Sequence, residues 1–174
     1  MKVRALLIGC LAGAAVAAGV LLLRAAGKDG SGGFLWGGPL LADVNLLLEI
    51  LLVLGLTVGA FLARAGSIEA HRINQTAWVL VNAALVAFVM ASSMATFRIA
   101  RLADLANPGN AITVAHAVIG ALTLAGGLWL VLQMNDVLPR PLHVRRWKTL
   151  MRLTLAGYWA VALLGLATYR AWYE

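Results

Sequence analysis

Three histidines, His71, His116 and His143, are the side chains of this 174-residue chain best suited to ligand chemistry. Neutral imidazole binds haem iron, copper and zinc well, and all three lie at or near the ends of apolar runs. His71 and His143 fall at one end of the expected helices and form a candidate pair of axial haem ligands. Arg145 and Arg146, just after His143, are placed to hold haem propionates or anionic lipid. Their simplest role is to anchor a helix end at the headgroups. His116 lies deeper, about five residues into its run, and Glu49 has a similar depth on another helix. Met94, after Ser92 and Ser93, closes a third helix, and Tyr169 lies near the end of the last. At a rise of about 1.5 Å per residue these depths match, so a carboxyl, an imidazole, a thioether and a phenol are expected to converge. His116, Met94 and Glu49 are therefore the candidate metal ligands. Haem b or copper is the candidate cofactor, and a cofactor-free bundle is the alternative. Each residue also has a plainer reading: His71 and His143 as interfacial side chains, His116 as a helix-to-helix hydrogen bond, Met94 as packing, Glu49 as a paired group near the interface.

The elements that must position these groups are membrane helices. The chain is 62% hydrophobic and only 12% charged, too little polar surface for a soluble domain of this length. Apolar runs at about 5–23, 44–63, 76–97, 111–134 and 150–172 each approach the roughly 20 residues that cross hydrocarbon as a helix. Glycines between Arg24 and Leu40, the sequence Asn107-Pro108-Gly109-Asn110, and Pro139 with Pro141 separate them. The expected fold is an all-α integral membrane bundle of about five transmembrane helices. An N-terminal helix and Gly-rich loop occupy residues 1–40, and a four-helix bundle occupies 41–174. Two Gly-x-x-x-Gly pairs, Gly9 with Gly13 and Gly55 with Gly59, suggest close helix packing.

The net charge of +7 does not point to nucleic acid, because most basic residues flank apolar runs. With the amino terminus inside, Lys2, Arg4, Arg64, Arg72, Arg140, Arg145, Arg146, Lys148 and Arg152 fall inside, and Arg24, Lys28, Arg98, Arg101 and Arg170 outside. That bias favours an amino terminus inside and a carboxyl terminus outside; the expected location is a bacterial plasma membrane. The single cysteine, Cys10, excludes an internal disulfide framework and is expected to be a buried small residue rather than a lipidation site. No Gly-rich phosphate loop, Gly-x-Ser-x-Gly or His-Glu-x-x-His motif occurs, so no enzyme is expected, and no Cys-x-x-Cys-His motif offers covalent haem attachment.

Residues from about 45 to 173 resemble the domain of unknown function 420 family, the YozB/CtaM-like small histidine-bearing membrane proteins. The likeness lies in Glu69-Ala70-His71-Arg72, in Ala115-His116-Ala117, and in His143 followed by Arg152-x-Thr154, Tyr158-Trp159, Gly165 and Tyr169. The first helix would be an extra element. Where the family places another histidine near the end of helix three, this chain has Ser92, Ser93 and Met94. The resemblance implies haem or metal handling for a haem-copper oxidase. The expected function is thus a membrane accessory or assembly protein of such an oxidase or a related electron-transport complex, binding or presenting haem or metal through histidines. Its partners would be the lipid bilayer and other membrane subunits. Two alternatives stand beside it: a b-type cytochrome carrying electrons from quinol to a partner, and a cofactor-free structural subunit of a larger complex.

Overall fold

A computed structural model describes residues 2–99 and 101–174, though not the side chains of Lys2 and Thr96. Among these residues there is no strand, and five helical spans are long and apolar enough to cross a membrane. They are α1 (Lys2–Ala25), α2 (Leu40–Arg64), α3 (Ile68–Leu85) continued through a π-helical turn (Val86–Met90) into α4 (Ala91–Thr96), α5 (Pro108–Met134) and α6 (Trp147–Tyr173). Large apolar side chains such as Leu7, Leu11, Phe61, Leu122 and Leu163 are more than half exposed. An exposed apolar girdle of that extent is tolerable only against lipid, so the chain is an integral membrane protein.

Local chemistry sets where the helices stop and start. α1, α2 and α5 each end with a residue of positive φ: Gly27 (64°), Gly66 (79°) and Asp136 (57°). The amide after each reaches back to a carbonyl of the last turn: Lys28 to Leu23 (3.0 Å), Ser67 to Leu62 (2.9 Å) and Val137 to Leu132 (2.9 Å). This pairs carbonyls that would otherwise face an apolar medium unbonded. At the start of α5 the Asn107 side chain accepts from the amides of Gly109 (2.9 Å) and Asn110 (3.4 Å), and Pro108 occupies the first helical position, where no amide is needed.

The helices extend beyond the apolar runs. α3 begins at Ile68 rather than near residue 76, because its polar first turns face α2 instead of lipid. His71 Nδ1 donates to the Gly59 carbonyl (2.7 Å), Asn74 Nδ2 to Gly55 (2.8 Å) and Gln75 Nε2 to Leu56 (2.9 Å). The spacing 71, 74, 75 is one helix face, and the glycines of α2 leave it room: a methyl on Gly59 would strike the Asn74 and Gln75 amides. On α1, a methyl on Gly13 would lie 3.0 Å from the Leu80 carbonyl oxygen. Both Gly-x-x-x-Gly pairs therefore mark close approach to α3. Cys10, by contrast, is exposed on α1 and not buried as expected.

Helices α2, α3, α5 and α6 form a closed ring of neighbours, and α1 packs on the outside of α3 and its π-turn. The central core of the ring is Leu52, Val53, Leu56, Val79, Val131, Tyr158 and Ala162. A second cluster, Val20, Val81, Leu85 and Val89, fills the α1–α3 seam.

Candidate ligand cavity among four helices

Above the core, toward the loop of residues 26–39, the ring opens around a cavity of about 590 Å³. Glu49 on α2, His116 on α5, Met94 on α4 and Tyr169 on α6 all line it. So do Val86, Val89 and Met90 of the π-turn. A π-turn carries one residue more than an α turn and so shifts the phase of the helix beyond it; such turns often occur at functional sites.

His116 is held in one orientation. Its Nδ1 lies 3.1 Å from the Val161 carbonyl of α6. A carbonyl only accepts, so Nδ1 carries the proton, and in the neutral ring Nε2 is left as a bare acceptor. Nε2 lies 3.9 Å from Glu49 Oε1, too far for a hydrogen bond. A cation bound at about 2.1 Å to each atom would fit between them. Glu49 is 6% exposed, and its Oε1 has no hydrogen-bond partner. The helix opposite makes space for this carboxyl, since a methyl on Gly165 would lie 3.1 Å from Glu49 Cδ.

Two further groups that sequence reading did not single out face the same shortage. Asn45 Oδ1 and Thr168 Oγ1 are buried without partners, and both residues line the cavity. Nothing in their residue types marks them; only the missing partner does. At the floor, Asn82 Nδ2 donates to the Tyr158 hydroxyl at 3.4 Å.

The roof is built from the loop and the end of α6. Asp43, fully buried in the first turn of α2, accepts from the amides of Phe34 (2.5 Å) and Leu35 (2.7 Å) and from the Tyr169 hydroxyl. Trp36 meets Tyr169 edge to face at 6.1 Å, and the Arg170 guanidinium lies 5.6 Å over the Trp36 ring. Trp172 Nε1 donates to Thr113 Oγ1 (2.9 Å) and packs edge-on against Phe97. Asp43 too was not a candidate from sequence, because it precedes the apolar run that marks the helix.

The remaining candidates lie at the other end of the bundle. His71 spends Nδ1 on Gly59. His143 Nε2 donates to the Leu138 carbonyl (3.0 Å), which leaves only Nδ1 to ligate. His71, bonded through Nδ1, keeps Nε2 as an acceptor just as His116 does, whereas His143 as oriented offers only Nδ1. The cleft at that end is lined by Arg4, Ile73 and residues 66–70, and by neither imidazole. Arg145 and Arg146 are exposed beside the start of α6. Among the described residues no three His, Cys, Asp or Glu side chains are grouped as a metal cage. A metal at His116 and Glu49 would thus need the Met94 thioether or an outside ligand. Set against known proteins, the chain matches no family model, no curated protein and no solved structure.

Proposed function

We propose that the protein is a membrane accessory or assembly protein of a respiratory haem-copper oxidase or a related electron-transport complex, with its ligand seated at Glu49 and His116. The respiratory context rests on the motif resemblance around His71, His116 and His143. The site rests on one observation: an imidazole locked through Nδ1 to Val161 turns its bare Nε2 toward a buried carboxyl oxygen that has no partner. Burying such a group unpaired costs about 1–3 kcal/mol, and a fold that bears the cost at a cavity wall is preorganised for a ligand.

The test joins genetics and ligand analysis. Deleting the gene is expected to lower oxidase activity or oxidase haem in membranes; an unchanged oxidase sinks the respiratory reading. Oxidised and reduced absorbance spectra and metal analysis of the detergent-purified protein come next. Any bound group is expected to be lost in His116→Ala and kept in His71→Ala and His143→Ala; the reverse pattern would move the site to the other end. The structural-subunit reading gains from the bond of His143 Nε2 to the Leu138 carbonyl. It expects fixed stoichiometry with partner subunits and full assembly after His116→Ala.

A further inference from the structure

The chemistry of the cavity narrows its ligand, granted that it is a ligand site. Four polar atoms share the shortage of partners: Asn45 Oδ1, Glu49 Oε1, Thr168 Oγ1 and His116 Nε2. All four can accept a hydrogen bond, and Asn45 Oδ1 and the neutral-ring His116 Nε2 can only accept. A complementary ligand must bring donors. A quinone, which carries only carbonyl oxygens, could accept from the Thr168 hydroxyl but would set acceptor against acceptor at Asn45 Oδ1 and His116 Nε2.

Size and walls then separate a bare cation from a molecule. A single ion with one water needs about 30 Å³ for that water, whereas about 590 Å³ is the scale of an organic ligand site. Beside these four groups runs an apolar stretch of Leu46, Val86, Val89, Ala117 and Val161, with Asn82, Tyr158 and Tyr169 as further polar lining. The polar atoms also fall in two layers. Asn45 and Glu49 stand four residues apart on α2, about 6 Å along its axis. Thr168 stands three residues beyond Gly165, the glycine beside Glu49. A six-membered ring with hydroxyls at opposite ends has a donor for each layer.

We propose that the cavity binds a membrane hydroquinone in its reduced form, one hydroxyl donating to the Glu49–His116 pair and the other to the Asn45–Thr168 layer. Its alkyl chain lies along the apolar walls. The inference concerns binding only, and it deepens the reading of the cavity as the functional site.

The experiment titrates the detergent-purified full chain by calorimetry under argon with three probes: decylubiquinol, decylubiquinone and the dimethyl ether of decylubiquinol. The ether keeps shape and apolarity but has lost both donors. Saturable binding of the quinol at least about tenfold tighter than of either other probe is expected, a difference of about 1.4 kcal/mol. Glu49→Gln and His116→Phe are each expected to weaken quinol binding about tenfold or more. Gly120→Leu keeps all four polar atoms but adds bulk at the wall, where a built methyl meets Val161 only at 3.8 Å. It is expected to abolish binding with the melting temperature retained, which guards against a polar variant that misfolds. Equal affinity for all three probes overturns the inference. No probe bound but copper or zinc retained in a His116-dependent way overturns it too, and leaves the functional-site reading standing. Neither probe nor metal bound overturns both.

Discussion

Asp43 and Glu49 lie six residues apart on α2, and the fold supplies them differently. Asp43 has three donors, two of them loop amides. Asp43→Ala would strand those amides and the Tyr169 hydroxyl, and at about 1–3 kcal/mol for each buried unpaired group the loss is expected to reach about 3 kcal/mol. A clear fall in thermal midpoint in detergent is the readout, with Tyr169→Phe falling less. Glu49, lacking a hydrogen-bond partner, should behave the other way. Glu49→Leu is expected to leave the midpoint unchanged or raise it, because an unpaired polar group is replaced by an apolar one. A large destabilisation would mean that Glu49 is structural. Gly165→Ala pushes a methyl onto that carboxyl and is expected to cost about 1–3 kcal/mol; combined with Glu49→Ala most of that cost should vanish. At this scale the sequence was readable only in part. Counting depth along helices brought Glu49, His116, Met94 and Tyr169 to one level. Asn45 and Thr168 stayed hidden because lacking a partner is a property of the folded neighbourhood, not of a residue type.

The five spans were legible as apolar runs, and their glycine pairs as contact faces. The start of α3 was not: His71, Asn74 and Gln75 look like a polar connection until α2 offers them carbonyls. The π-turn was hidden as well, since Val86–Met90 has the composition of any membrane helix. The contact of α2 with α3 also fixes where α2 tolerates no added bulk. A methyl on Gly55 would strike the Trp78 indole. Gly55→Leu is therefore expected to cost about 3 kcal/mol or more, through lost indole packing and splayed carbonyl bonds. Asn74→Ala removes one such bond and should cost about 0.6 kcal/mol, the usual scale between membrane helices. Unfolding in graded denaturant with detergent distinguishes the two.

The whole molecule has two unlike ends. One carries the latched loop and the cavity; the other carries the α2–α3 and α5–α6 connections, with Arg145, Arg146 and Lys148. By the basic-residue bias, the second end should face the cytoplasm. Single cysteines placed in 26–39 and in 136–146 of a Cys10→Ala background are expected to react with an impermeant thiol reagent from outside and only after permeabilisation, respectively. The opposite labelling would invert the orientation and put the cavity on the inner side.

Asp43 and Tyr169, the two ends of the latch, are 126 residues apart in the chain. A ribosome adding about 5–20 residues per second needs on the order of ten seconds to get from one to the other. For that interval α2 is already made, its carboxylate lacks the phenol, and the loop has nothing on α6 to close against. A chain without α6 holds the Asp43 carboxylate by the Phe34 and Leu35 amides alone, so the loop can close on the bundle mouth only once Tyr169 has been made.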